Sequence, residues 1–358
     1  MKQISIIGIV GLPANYGGFE SFAEQLVGRM EGRAETTVYC SSSAYPQKRD
    51  TYLGAKLKYF PLNANGASSI LYDACAMFAA IRKSDTLLIL GVSGCIFLPF
   101  ARLLRRKTRI VVNVDGIEWR RAKWGRLARW FLRFSEGCAV RNADCVIADN
   151  KVIADYLGEK YGIVTETIEY GADHVTPVPI VDETRREFPF LNESYAFSVL
   201  RIEPENNVSM ILEAFHKGLK LPLVMVGNWH SSELGRSLRA KYASDPNLHL
   251  LDPIYEPGKL NQLRSNCRLY IHGHSCGGTN PSLVEAMWLG LSIVAFDVSF
   301  NRVTTEDSAL YFKDSEALAG IVDTIDEARC RTLSQSMKEI ALRRYTWRHI
   351  LDRYAGIL

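Results

Sequence analysis

The stretch Gly277-Gly278-Thr279-Asn280-Pro281-Ser282-Leu283-Val284-Glu285-Ala286-Met287 combines the residue types needed to bind an anion beside a polyol. Two glycines let a ligand approach the backbone closely. Asn280 suits a helix N-cap, and Pro281 suits the first helical position, where its missing N–H costs nothing. A helix begun this way opens with unpaired N–H groups and the positive end of its dipole, which favour phosphate. Glu285, one turn in, offers a carboxylate to sugar hydroxyls. Phosphate and hydroxyls side by side describe a nucleotide-sugar; an ordinary capped helix is the alternative.

A second glycine-rich turn lies near the start of the chain. Ile4-Ser5-Ile6-Ile7-Gly8 reads as a buried strand. It feeds Val10-Gly11-Leu12-Pro13-Ala14-Asn15-Tyr16-Gly17-Gly18-Phe19-Glu20 and then a helical pattern through Phe22, Leu26 and Val27. Strand, glycine loop and helix form the first unit of a nucleotide-binding α/β domain. Gly8, Gly11, Gly17 and Gly18 do not fit G-x-G-x-x-G, which argues against a dinucleotide.

The elements that must hold these turns follow from the alternation of apolar runs and helical patterns. Strands are expected at Ile4–Gly8, Thr36–Tyr39, Lys56–Pro61, Thr86–Leu90, Arg109–Asn113, Cys145–Ala148 and Glu166–Ile168. Helices near Gly18–Met30, Ser68–Lys83 and Gly125–Arg141 would cover both faces of a mostly parallel sheet. After Tyr170-Gly171-Ala172-Asp173 the chain loosens through Pro177, Pro179 and the charged stretch Asp182 to Glu187, read as a linker. A second series runs Tyr195–Leu200, Leu223–Val226, Leu248–Leu251, Arg268–His272, Ser292–Phe296 and Ala309–Phe312. The expected domains are 1–175, 176–340 and a final crossing segment, 341–358.

Composition narrows the class. At 358 residues the chain is long enough for two domains, each with its own core. Its eight cysteines are scattered without a C-x-x-C pair, which argues for reduced thiols in a cytosolic protein and against a zinc site. No signal peptide is expected before Ile4, and Thr86–Leu90 is too short to span a bilayer.

The paired glycine turns, Arg201-Ile202-Glu203-Pro204-Glu205-Asn206-Asn207 and the Pro281–Met287 helix resemble a GT-B glycosyltransferase of the retaining group GT4. The turn at Gly11–Glu20, Val114-Asp115-Gly116-Ile117-Glu118-Trp119 and His272-Gly273-His274-Ser275-Cys276-Gly277-Gly278-Thr279-Asn280-Pro281-Ser282 resemble, more narrowly, a bacterial rhamnosyltransferase subfamily with a DUF1972-like N-terminal domain. The resemblance spans nearly the whole chain. It implies an α/β fold of the GT-B type, with two Rossmann-like domains facing across a cleft and a C-terminal helix crossing back to the first. Two departures from the wider group stand out. A lysine usually follows the arginine by five residues, and here Asn206 does; a glutamate usually precedes the later one by eight, and here Gly277 does. Both imply altered sugar recognition.

Breaking the anomeric C–O bond of a nucleotide-sugar requires stabilising charge on diphosphate oxygens, by oriented dipoles and cations. Gly17 and Gly18 would supply N–H groups from one domain; Arg201, Gly277, Gly278, Thr279, Asn280, Ser282, Leu283 and Glu285 would bind donor from the other. For Arg201 the alternative is a surface ion pair with Glu203 or Glu205. No D-x-D motif occurs, so metal-independent chemistry without a cofactor is expected. Asp115 and Glu118 follow the strand Arg109–Asn113, at the strand end where open α/β sheets bind ligands. Asp115 could orient or deprotonate the acceptor hydroxyl, or serve only as a turn residue. Asn228, Tyr255 and His274 are candidates for contacts to base and sugar, with core or hinge roles as the alternative for the last two.

Net charge is only +4, yet Arg102, Arg105, Arg106, Lys107, Arg109, Arg120, Arg121, Lys123, Arg126, Arg129 and Arg133 crowd one region. Trp119, Trp124, Trp130, Phe131 and Phe134 are interleaved with them. Such a surface suits anionic lipid headgroups, and no nucleic-acid-binding motif accompanies it. A solvated helix face is the plain alternative. Arg344-Tyr345-Thr346-Trp347 then precedes an amphipathic final helix, with Thr346 as a candidate cap.

These readings lead to one expectation. The chain should move L-rhamnose from dTDP-L-rhamnose onto an undecaprenyl-diphosphate-linked saccharide in capsule or O-antigen assembly, at the inner face of the plasma membrane. A UDP-hexose donor, or a UDP-sugar 2-epimerase on the same fold, is the alternative.

Overall fold

The computed structural model describes residues 1–358 apart from 16, 67, 106, 115, 122, 123 and 217. Asp115, and Arg106 and Lys123 of the basic region, therefore lie outside the described residues. The chain forms two compact units, Met1–Glu169 with Arg348–Leu358, and Tyr170–Trp347.

The first unit is built on an eight-stranded sheet. Its strands are β1 (Lys2–Ile7), β2 (Ala34–Ser41), β3 (Thr51–Tyr52), β4 (Ala55–Phe60), β5 (Thr86–Leu90), β6 (Arg109–Val114), β7 (Cys145–Ala148) and β8 (Glu166–Thr167). They lie in the order β3-β4-β2-β1-β5-β6-β7-β8, all parallel except the short β3, which pairs antiparallel with β4. Central strands covered on both faces should be apolar throughout, and every residue of β5 is buried. The chain leaves β1 towards β2 on one side and resumes at β5 on the other. The strand order thus reverses between β1 and β5, where open α/β sheets leave a crevice. The final helix, Trp347–Ile357, adds Tyr354, whose hydroxyl accepts from Asn113 Nδ2 at 2.6 Å beside β6. The Leu358 carbonyl accepts from Thr86 Oγ1 at 3.0 Å.

The second unit repeats the plan with β9 (Ala196–Val199), β10 (Leu223–Val226), β11 (Leu248–Leu251), β12 (Leu269–His272), β13 (Ile293–Phe296) and β14 (Leu310–Phe312). The order is β11-β10-β9-β12-β13-β14, and every pairing is parallel. Its core gathers Ile211, Phe215, Met225, Trp229, Leu269 and Val294. Here the order reverses between β9 and β12.

Two local outcomes differ from the sequence reading. The charged stretch Asp182–Glu187 is a helix, with Asp182 and Glu183 in its first turn and Arg185 and Arg186 in its last. That arrangement complements the helix dipole, which a count of charges alone does not reveal. Asn280 occupies the N-cap position of the helix Pro281–Trp288, but its side chain makes no capping bond. Its carbonyl serves instead, accepting from Leu283 N at 3.0 Å and Val284 N at 3.2 Å.

Candidate active site

The two segments singled out in the second half of the sequence are the loops at its switch point. Arg201–Asn207 follows β9, and Gly273–Asn280 follows β12. They are bonded to each other. Ser275 donates to the Glu205 carbonyl through its N–H at 2.9 Å and its hydroxyl at 2.8 Å. Asn207, held in the left-handed region at φ 52°, donates from Nδ2 to the Gly273 carbonyl at 2.8 Å. Gly273 has no room for a side chain, since a Cβ there would sit 2.2 Å from the Asn206 carbonyl oxygen. Gly277 has φ +113°, a conformation open to glycine and strained for other residues.

Asn206 is buried and donates from Nδ2 to the Arg201 carbonyl at 2.7 Å. It closes the loop beneath Arg201 rather than replacing a cation. Arg201 itself is exposed and, among the described residues, enters no ion pair, so the alternative of a bridge to Glu203 or Glu205 does not hold. Asn228 accepts from Ile202 N at 2.8 Å and donates to Ser231 Oγ at 2.7 Å. Its amide is spent on fixing the residue after Arg201.

Glu285 sits in an ion cluster that no motif announced. Its Oε2 pairs with the Arg264 guanidinium, and its Oε1 lies 3.2 Å from His174 Nε2. Arg264 is nearly inaccessible and also donates to Asn261 Oδ1 at 2.7 Å. Burial pushes the Glu285 carboxyl up, but Arg264 and then His174 outweigh it and hold the group below its ordinary value. The other His174 nitrogen, Nδ1, accepts from Trp347 Nε1 at 2.9 Å. Because an indole N–H can only donate, Nε2 carries the proton towards Glu285. Trp347 N in turn donates to Asp173 Oδ1 at 2.6 Å. A Cβ at Gly171 would lie 2.4 Å from the Trp347 ring, so glycine is needed for that packing. Arg264, His174 and Trp347 were missed because each is an isolated residue, far in sequence from Glu285.

The remaining candidates divide. The His274 ring stacks on His272 with centroids 4.5 Å apart, and its carbonyl accepts from Asn301 Nδ2 at 2.9 Å. Burial, and then His274, hold the His272 imidazole well below its ordinary value, so it is neutral. Thr279 is buried in the turn, and Gly278 and Ser282 border the helix start. Leu283 needs correction as a donor contact: its side chain is fully buried in the core and its N–H is already bonded to Asn280. Tyr255 is 86% exposed.

In the first unit, Gly17 caps the helix Gly18–Met30, and its carbonyl accepts from Ser21 N at 3.2 Å. Glu20, one turn on, accepts from Val10 N at 2.8 Å and ties the glycine loop to β1. Glu118 is tied to neighbours within its own loop. It pairs with Arg121 Nε at 2.6 Å and accepts from Trp124 Nε1 at 3.0 Å. Asp73 belongs to no motif; its carboxyl accepts from Ser93 Oγ in the loop after β5, beside that unit's switch point. Burial pushes this carboxyl up to about 7, against the hydrogen bonds from Ser93 and Gly94. Among the described residues, no three His, Cys, Asp or Glu side chains converge as metal ligands, and no helix is long and apolar enough to cross a membrane.

The basic region is less uniform than its sequence. Arg102 is bound by Asp144, Arg105 by the Arg82 carbonyl, and Arg121 by Glu118. Arg120, Arg126, Arg129 and Arg133 are exposed.

Comparison with known proteins agrees with this architecture. Residues 181–343 match the family glycosyl transferases group 1, and residues 1–173 match a domain of unknown function, DUF1972. No curated protein matches the chain. Among solved structures, it is similar to sucrose-phosphate synthase of Thermosynechococcus elongatus at TM-score 0.84 and 16% identity, covering 100% of this chain and 98% of that one. It is similar to Anabaena HepE, solved with UDP-glucose, at TM-score 0.78 and 15% identity, covering 99% and 98%. The trehalose-6-phosphate synthase OtsA follows at TM-score 0.74 and 12% identity, covering 99% and 98%. The fold is therefore that of the GT-B glycosyltransferases. The second half of the chain matches a group 1 glycosyltransferase domain.

Proposed function

We propose that the protein transfers a sugar, with retention at the anomeric carbon, from a nucleotide-sugar to a saccharide carried on a polyprenyl diphosphate. The donor proposed is dTDP-L-rhamnose, and the setting is capsule or O-antigen assembly at the inner face of the plasma membrane. The observation that carries the donor site is the joining of the loops after β9 and β12, with Glu285 on the helix that follows the second loop. Glu285, held ionised by Arg264 and His174, keeps lone pairs for ribose hydroxyls. Arg201 and the Ser282 N–H at the start of Pro281–Trp288 stabilise the diphosphate as it leaves.

In this reading the anomeric C–O bond breaks towards the diphosphate oxygen, and the acceptor oxygen bonds to the same face of the sugar. The acceptor proton passes to the departing phosphate. That route needs neither a metal nor a side-chain base, and the commitment of Glu118 to Arg121 and Trp124 is in keeping with it.

A UDP-hexose donor is the second reading, favoured by the likeness to HepE, which was solved with UDP-glucose. Incubating the protein with dTDP-rhamnose or UDP-glucose, with and without a lipid-linked acceptor, separates the possibilities. Product formed only with acceptor, in the donor's anomeric configuration, supports retaining transfer. Acceptor-independent epimerisation of UDP-sugar, or no turnover of either donor, would contradict it.

A further inference from the structure

The helix Arg126–Asn142 carries two stripes that its own unit leaves uncovered. Leu132, Ser135, Glu136, Ala139 and Val140 are buried, so its core-facing side is already occupied. Leu127, Trp130 and Phe134, spaced i, i+3 and i+7, line another side at 85%, 68% and 48% exposure. Arg126, Arg129 and Arg133 repeat that spacing one residue earlier and form a basic stripe alongside. The Trp130 and Phe134 rings stack 5.8 Å apart at 10°, giving one flat apolar face to solvent. The helix Leu98–Leu104 packs beside it and adds exposed Phe100 and Leu103. A contiguous exposed apolar surface with a cationic edge marks a place for a ligand that is part lipid and part anion.

The cations have a focus. Arg120 and Arg133 each lie over the Trp119 ring, at 5.3 and 5.4 Å from its centroid. Their guanidinium carbons are therefore no farther apart than the sum of those two distances. Two other cations nearby are neutralised, Lys160 by Glu136 at 2.8 Å and Arg121 by Glu118 at 2.6 Å, while Arg126 and Arg129 stand exposed along the helix. Arg120 and Arg133, among the described residues, enter no ion pair. Two guanidinium forks held against one rigid indole match the several oxygens of a diphosphate better than a single phosphate.

We propose that this surface binds the diphosphate head and the first isoprene units of a polyprenyl-linked acceptor. Arg120 and Arg133 hold the diphosphate. Leu127, Trp130 and Phe134 lie against the prenyl chain and the surrounding acyl chains. The proposal rests on the reading that the acceptor is lipid-linked, and it gives that lipid a site.

Flotation with phosphatidylcholine vesicles containing farnesyl diphosphate tests it, against vesicles of equal surface charge made with phosphatidylserine and against inorganic pyrophosphate as competitor. The wild type should bind farnesyl diphosphate vesicles about tenfold more tightly than the charge-matched ones, or about 1.4 kcal/mol. The double variant R120S/R133S should lose that preference while keeping residual vesicle binding. L127S/W130S/F134S should weaken binding to both kinds of vesicle. Pyrophosphate alone should compete poorly, because it lacks the apolar half. Equal wild-type binding to both vesicles would mean an anionic membrane surface only and overturn the proposal, as would a preference retained in R120S/R133S. Thermal stabilisation by nucleotide-sugar, measured on the same samples, reports folding and the donor site separately. Failure there with intact lipid selectivity would count against the transferase reading and not against this site.

Discussion

His174 Nε2 donates to Glu285 Oε1 at 3.2 Å, while its Nδ1 is held by Trp347 at 2.9 Å. One imidazole thus connects the carboxylate on the helix after β12 to residues at both ends of the second unit, Asp173 near its start and Trp347 at its close. The tautomer is set by Trp347, and the orientation of Glu285 follows from it. His174→Ala should weaken donor nucleotide binding by about tenfold, the scale of one charge-assisted hydrogen bond. Trp347→Phe should produce a smaller loss in the same direction, because the ring stays but its N–H does not. Calorimetry with nucleoside diphosphates reads both; unchanged affinity in His174→Ala would remove the residue from the site.

Arg264 and Glu285 make a buried pair whose halves depend on each other. Arg264→Met should strand the carboxylate and cost about 3–5 kcal/mol in stability. Combining it with Glu285→Gln should recover most of that loss. Urea unfolding of the two single variants and the double variant gives the coupling directly. A single-variant loss below about 1 kcal/mol would show that the pair is not a structural requirement.

Arg201 differs in being exposed and outside any ion pair, so its removal should spare the fold. Arg201→Ala should lower transfer by roughly two to three orders of magnitude, as loss of a transition-state charge stabiliser does. Its unfolding midpoint should match the wild type. Near-normal turnover would place the diphosphate elsewhere.

The folds of both units were legible because most of their strands are short, largely apolar runs. Thr86–Leu90, Leu223–Val226 and Leu248–Leu251 have the expected ends. Arg201 and Gly277–Glu285 were legible because glycine, proline and charge cluster within a few residues. The support around them was not. Arg264 and His174 reach Glu285 only through folding, and Asn228 looks like a ligand residue until its amide is seen holding Ile202. Glu118 was legible from its place after a strand, whereas its partners Arg121 and Trp124 were not.

Asp73 supplies a pH signature. Its folded-state pKa is raised by burial, so its contribution to stability is fully present below the unfolded carboxyl range and is lost as pH rises through about 7. Asp73→Asn removes that loss. The variant should melt a few degrees above wild type at pH 8, by roughly the shift one or two kcal/mol produces, and gain less at pH 5. A gain independent of pH would assign the effect to packing instead.

The central claim is that the loops after β9 and β12 and Glu285 form a nucleotide-sugar site. Calorimetric titration of wild type and Glu285→Ala with dTDP, UDP, dTDP-rhamnose and UDP-glucose tests it most directly. The wild type should bind at least one nucleotide-sugar, dTDP-rhamnose above the others on the first reading, and Glu285→Ala should bind it at least tenfold more weakly. Absence of nucleotide binding by the wild type, or equal affinity in the folded Glu285→Ala variant, would contradict the account.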